Sequence, residues 1–144
     1  MRIFLDTNVL VSAIATRGLC ADVLREVLAR HELIISRQLL GELDKVLREK
    51  IDLPRALISE FLQFLQQDAK FSEASNLEDW PIRDEDDIPL LAAALSGEAD
   101  LFITGDAELI GMRKIGKMEI VRPRTFWDKL TKCGGSATKE NNNF

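Results

Sequence analysis

The sequence predicts an α/β fold, a mostly parallel sheet between layers of helices. Two observations predict it. Short apolar runs, Ile3-Phe4-Leu5, Leu33-Ile34-Ile35 and Leu101-Phe102-Ile103, recur along the chain, with a last strand pattern at Met118 to Val121. Unbroken runs of this length suit strands covered on both faces, as parallel strands are. Between them, apolar residues return at helical spacing, and strands alternating with helices imply a parallel sheet with helices on its faces. A length of 144 residues fits one domain with a substantial core, and a hydrophobic share of 46% excludes a disordered chain. No apolar run is long enough to cross a bilayer. The start of the chain reads as a strand and lacks a signal-peptide layout, so a cytoplasmic protein with no membrane partner is expected. Cys20 and Cys133 match no metal-binding spacing and read as reduced thiols.

The first strand ends in Asp6-Thr7-Asn8. An acid at the carboxyl end of a buried strand sits where open α/β sheets place their ligands. The same residues also suit a helix N-cap, with Val9 to Ile14 as helix. Arg17-Gly18 breaks the chain. Ala21 to Arg30 follows as an amphipathic helix, inward at Val23, Leu24, Val27 and Leu28, with His31 at its end facing the dipole. After Leu33 to Ile35, Ser36 caps a helix from Arg37 to about Lys50, with Leu39, Leu40, Leu43, Val46 and Leu47 as its stripe. Pro54 opens a helix from Arg55 to about Asp68, inward at Leu57, Ile58, Phe61, Leu62 and Leu65. Residues 71–82 carry no clear period and suit a short strand or a loop. Trp80 precedes Pro81 and reads as extended. A helix runs from Asp86 to Ser96 and ends at Gly97, with Pro89 in its first turn. Leu101 to Ile103 is followed by Thr104-Gly105-Asp106. Ala107 to Met112 reads as a short helix, and Pro123 opens a helix through Leu130. The polar tail, residues 131–144, reads as a loose end outside a domain of residues 1–130.

This order places acids at one edge. In right-handed β-helix-β units, helix N-termini lie at the carboxyl edge of the sheet. Asp6 ends the first strand, Asp106 lies just past Ile103, and Asp87 is in the first turn of its helix. Glu42 is roughly 9 Å into its helix at 1.5 Å per residue. Of Asp86 and Asp87, the helical face favours Asp87, three before Leu90 and four before Leu91, because an acid on a buried stripe is costly unless paired or metal-bound. Each acid also has a simpler reading: a cap for Asp6 and Asp87, a solvated edge for Glu42, a turn acid for Asp106. Their convergence, with no Lys partner in these motifs, points to hard divalent cations such as Mg²⁺ or Mn²⁺, which favour oxygen ligands. The net charge of −5 argues by itself against nucleic acid. Two bound cations would invert the field locally, so the overall charge does not decide the partner.

With Leu5-Asp6-Thr7-Asn8-Val9-Leu10, Glu42, Asp84-Glu85-Asp86-Asp87-Ile88-Pro89-Leu90-Leu91-Ala92-Ala93-Ala94 and Ala99-Asp100-Leu101-Phe102-Ile103-Thr104-Gly105-Asp106 in this order, nearly the whole chain resembles the PIN-domain family of metal-dependent nucleases. It looks most like the stand-alone bacterial and archaeal members that act as toxins of toxin–antitoxin pairs. The resemblance implies an α/β/α sandwich and a Mg²⁺- or Mn²⁺-dependent ribonuclease. Its acids match Asp6, Glu42, Asp87 and Asp106. Thr7, Asn8 and Thr104 would orient carboxylates, with Asp84 as an outer contact. It also implies an RNA substrate, an antitoxin partner and a homodimer, the last with support from the apolar helix at Arg55 to Asp68. Arg17, Arg37, Lys45, Arg113 and Lys114 are candidate phosphate contacts, each with a solvated surface charge as its alternative. Two rivals remain. A phosphatase of the haloacid dehalogenase kind needs Asp-x-Asp after the first strand, and Asn8 occupies the second position. A non-catalytic binding module of the same fold would not need the full acid set.

Overall fold

Strands and helices alternate as expected in the computed structural model, which describes residues 1–74, 85 and 87–134. In chain order the elements are β1 (Arg2–Leu5), α1 (Thr7–Ala15), α2 (Leu19–Arg30), β2 (Glu32–Ile35), α3 (Arg37–Glu49), α4 (Arg55–Gln66), β3 (Lys70–Phe71), α5 (Asp87–Ser96), β4 (Leu101–Ile103), α6 (Ala107–Met112), β5 (Lys114–Ile115), β6 (Met118–Val121) and α7 (Pro123–Gly134). Asp84, Asp86 and the Trp80-Pro81 pair lie outside the described residues, as do residues 135–144 of the tail. No single described helix is long and apolar enough to cross a membrane.

The strands form one sheet in the order β3-β2-β1-β4-β6-β5, and together with its helices it makes a three-layer α/β sandwich. All pairings are parallel except β5 with β6. From β1 the chain first builds outward to β2 and β3, then crosses to β4 on the other side. The carboxyl ends of β1 and β4 therefore flank the point where strand order reverses, the place where open α/β sheets bind ligands. The apolar runs fill this centre. Ile3, Phe4, Leu5, Ile34, Ile35, Phe102 and Ile103 are fully buried. Phe4 and Phe102 are in register and stack with ring centroids 5.2 Å apart, a contact worth about 1 kcal/mol beyond area burial.

The helices are held by α1 against α2 and α3, α2 against α7, and α3 against α4 and α5. Gly97, just past α5, is more than a helix stop. A Cβ there would meet Ile34 Cγ2 at 2.8 Å and Ser72 Cβ at 3.0 Å, so only glycine lets the chain pass this close to β2 on its way into β4.

Three elements differ from the sequence expectation. In α4, Ile58 and Leu65 are buried, but Leu57 is 42% exposed. One residue is about 100° of helix rotation, so the stripe through Ile58 and Leu65 turns Leu57 outward. α7 runs past Leu130 to Gly134. The β5–β6 hairpin was not expected. Gly116 takes φ +59° at the first position of its two-residue turn, the glycine position of a type II′ hairpin turn.

His31 caps α2 as expected, but its ring turns inward, edge-on to Phe126 at 6.0 Å and only 6% exposed. Burial, then the N-terminal ammonium and Arg30, lower its pKa to about 4. A depressed histidine pKa contributes stability that is complete above about 6.5 and is lost as pH falls through the folded value. His31→Leu is therefore expected to lessen the fall in melting temperature between pH 6.5 and 4. Thermal melts across that range check this, and an unchanged slope would refute it.

Candidate active site

The buried carboxylate of Asp6 is the centre of the site. It is 5% exposed and stands where β1 gives way to α1. Backbone pairing continues past the strand, with Asp6 N–H donating to Ile103 O at 2.9 Å and Thr104 N–H to Val121 O at 3.0 Å. This sets Asp6 beside Thr104 across the β1–β4 crevice. Thr104 is fully buried, and its hydroxyl donates to Asp6 Oδ2 at 2.6 Å. The other carboxylate oxygen, Oδ1, accepts from Thr7 N–H at 2.8 Å. Both the capping and the ligand-edge readings of Asp6 thus describe the same side chain. It caps α1, and it does so at the switch point.

Thr7 links Asp6 to a second acid. Its hydroxyl donates to Glu42 Oε1 at 3.0 Å, across from α1 to α3. Glu42 Oε2 accepts from Gln38 Nε2 at 2.9 Å, one helical turn earlier. On the other flank, Asp106 N–H donates to Thr104 Oγ1 at 3.0 Å, and Asp106 Oδ1 caps α6 by accepting from Glu108 N–H at 2.8 Å. A continuous chain of hydrogen bonds therefore runs from Gln38 through Glu42, Thr7, Asp6 and Thr104 to Asp106.

Charge accompanies this geometry. Burial raises the Asp6 pKa above its usual 3.8. The hydrogen bonds from Thr104 and Thr7 oppose the rise, and the negative charges of Glu42 and Asp106 add to it. Glu42 and Asp106 thus each lie within electrostatic reach of Asp6. Asp87 is the first residue of α5, which packs on α3 and β2. It is half-buried, with Oδ2 inside the protein. Asn8 is exposed in the first turn of α1 and makes no side-chain hydrogen bond to a described residue, unlike Thr7 and Thr104. Asp84 lies outside the described residues.

Of the candidate cations, Arg37 opens α3 at this edge, with its side chain exposed and 3.9 Å from Glu73. Lys45 lies one turn beyond Glu42. Arg17 lies past the end of α1, whose residues carry the chain roughly 14 Å from Asp6 at 1.5 Å per residue. Arg113 and Lys114 sit toward the outer edge of the sheet, beyond β4 and β6.

The donor set fits a hard divalent cation. It is oxygen only, and it gathers negative charge around a buried carboxyl whose proton affinity is already raised. Among the described residues, no three acid, imidazole or thiol groups are drawn close enough to hold an ion by themselves. Gln38 was not singled out from the sequence. Its signal was the four-residue spacing to Glu42, which puts the two side chains on one helical face.

The PIN-domain profile matches residues 2–108. The chain belongs to the PIN-domain family. No curated protein matches it. Among solved structures, this PIN domain is similar to VapBC2 from Rickettsia felis, solved with a DNA fragment from the promoter. The TM-score is 0.60 and the identity 18%, over 85% of this chain and 98% of the other. It is also similar to Mycobacterium tuberculosis VapC20, a toxin that cleaves the sarcin–ricin loop. There the TM-score is 0.56 and the identity 14%, over 81% of this chain and 98% of the other. At these identities the likeness establishes a shared fold.

Proposed function

We propose that this PIN domain is a cytoplasmic, Mg²⁺- or Mn²⁺-dependent endoribonuclease and the toxin of a toxin–antitoxin pair, with the chain through the end of α7 at Gly134 as its catalytic unit and 135–144 as a tail. The observation that carries the reading is the buried Asp6 carboxylate, joined through Thr7 to Glu42 and through Thr104 to the Asp106 backbone, at the switch point of the sheet. Membership of the family and the likeness to VapBC2 and VapC20 support it.

Asp6, Glu42, Asp87 and Asp106 would hold the cation, which when bound supplies Lewis acidity for hydrolysis of an RNA phosphodiester. Thr104 and Thr7 fix both oxygens of Asp6, so its carboxylate meets a cation without first reorganising. Thr7 sets Asp6 and Glu42 relative to each other. Glu108 N–H holds Asp106 in place. Asn8 and Asp84 are proposed as outer contacts, and Arg37 is the best placed of the cations to meet a phosphate. The decisive experiment is cleavage of RNA with and without EDTA, by wild type and by Asp6→Asn.

The same proposal includes a homodimer and an antitoxin partner. Phe64 is 50% exposed on α4, close in sequence to Leu57 at 42% and Phe71 at 46%. Large apolar side chains exposed together favour association. Phe64→Ser is expected to convert a dimer to a monomer in light scattering at tens of micromolar, an ordinary working concentration for a cyclic dimer. A wild-type monomer under those conditions would remove the dimer from the proposal.

A further inference from the structure

The hydrogen-bond chain through the site ends at a residue that no sequence motif marks, Gln38. Its Nε2 donates to Glu42 Oε2 at 2.9 Å, while Thr7 Oγ1 holds Oε1 at 3.0 Å. We propose that Gln38 is a positioning residue, which locks the Glu42 carboxylate in the orientation that receives a divalent cation. This rests on the nuclease reading above.

Glu42 is the sixth residue of α3, away from both ends of the helix; it projects from its side and is half-buried. A glutamate in such a place has several rotamers open to it, and binding a cation would require it to give them up. Thr7 and Gln38 remove that freedom beforehand, one from each side. The chemistry of the amide suits the task. An ionised carboxylate only accepts hydrogen bonds, so the amide nitrogen must face it, and this fixes the amide orientation. A carboxylate offers about four lone-pair sites, and two donors leave the rest for a metal. The amide is also neutral. A lysine or arginine at this position would hold Glu42 equally well but cancel the charge the cation needs, whereas glutamine holds it and leaves the charge in place.

The competing account is that Gln38 and Glu42 form an ordinary surface pair at helical spacing, with no bearing on metal. Mn²⁺ binding, measured by calorimetry on purified full-length protein without RNA, separates the two. Gln38→Met keeps length and loses the donor, and Gln38→Ala removes both. Each is expected to weaken Mn²⁺ binding about tenfold or more, the usual scale for a lost outer partner of a metal ligand. The melting temperature in EDTA should stay near that of wild type. In RNA cleavage at limiting Mn²⁺, kcat should fall with KM for RNA unchanged, and excess Mn²⁺ should restore it. Gln63→Met, on the exposed side of α4, serves as the control and should leave Mn²⁺ binding unaltered. If Gln38→Ala loses cooperative melting, Gln38→Met carries the test, since it keeps side-chain length without a donor. Folded variants that bind Mn²⁺ as wild type does would overturn the positioning role and leave the nuclease reading standing. A wild-type protein that binds no Mn²⁺ would instead bring down the nuclease reading, and this inference with it.

Discussion

Asp6→Asn is expected to lower Mg²⁺- or Mn²⁺-dependent RNA cleavage by about a thousandfold or more, equivalent to about 4 kcal/mol in the barrier. The substitution is chosen to change charge and little else. Asn Oδ1 can still accept from Thr7 N–H, where Asp6 Oδ1 now does so at 2.8 Å. The amide nitrogen then faces Thr104, whose hydroxyl can rotate from donating to accepting. The fold should therefore survive, which circular dichroism verifies, and the loss should come from the missing ligand charge. EDTA should have the same effect on wild type, and added Mn²⁺ should restore the wild-type protein only. Equal cleavage in EDTA by protein free of contaminating nuclease would rule out the metal mechanism.

Asp6 also makes stability depend on pH and metal together. Its carboxyl pKa is raised by burial and by Glu42 and Asp106, against its hydrogen bonds to Thr104 and Thr7. Between the unfolded value of 3.8 and the raised folded value, the folded state binds more protons than the unfolded state. Stability from this group is complete below 3.8 and is lost as pH rises through the folded pKa. In EDTA, the melting temperature of wild type relative to Asp6→Asn is therefore expected to decline across that window. Mn²⁺ should reverse the decline, because it binds only the assembled site. At a hundred times its dissociation constant the gain is about 2.7 kcal/mol. Asp6→Asn should show neither the decline nor most of the Mn²⁺ rise. Parallel pH profiles for the two proteins in EDTA would show that Asp6 carries no such strain.

Much of this architecture was readable from the residues, and the parts that were not share a physical cause. β1, β2 and β4 are covered on both faces and must be apolar throughout, so Ile3 to Leu5, Leu33 to Ile35 and Leu101 to Ile103 announced themselves. β3 and β5 are two-residue edge strands, with Lys70, Phe71 and Lys114 exposed. An edge strand that short buries too little to leave a pattern. Leu57 was misread because periodicity gives the spacing of a stripe and not its width, and nothing on α4 marks where cover ends. At the site, the acids were legible because a carboxylate on a buried edge is costly enough to need a reason. Thr7 and Thr104 lay in the motifs themselves. Gln38 carries no charge, and its four-residue spacing to Glu42 is shared by many pairs on a helix, so only the structure distinguishes this contact.

The Thr104–Asp6 hydrogen bond joins residues 98 positions apart. A ribosome releases the chain from its amino end, so Asp6 and Glu42 emerge long before the strand that completes their surroundings. Domains fold as units during synthesis, and β1 gains its β4 neighbour only after most of the chain has been made. Until then Asp6 lacks the hydroxyl that fixes one oxygen, and Asp106 has no place in the cluster. The cluster around Asp6 is thus assembled only once the chain has been made through β4 and Asp106.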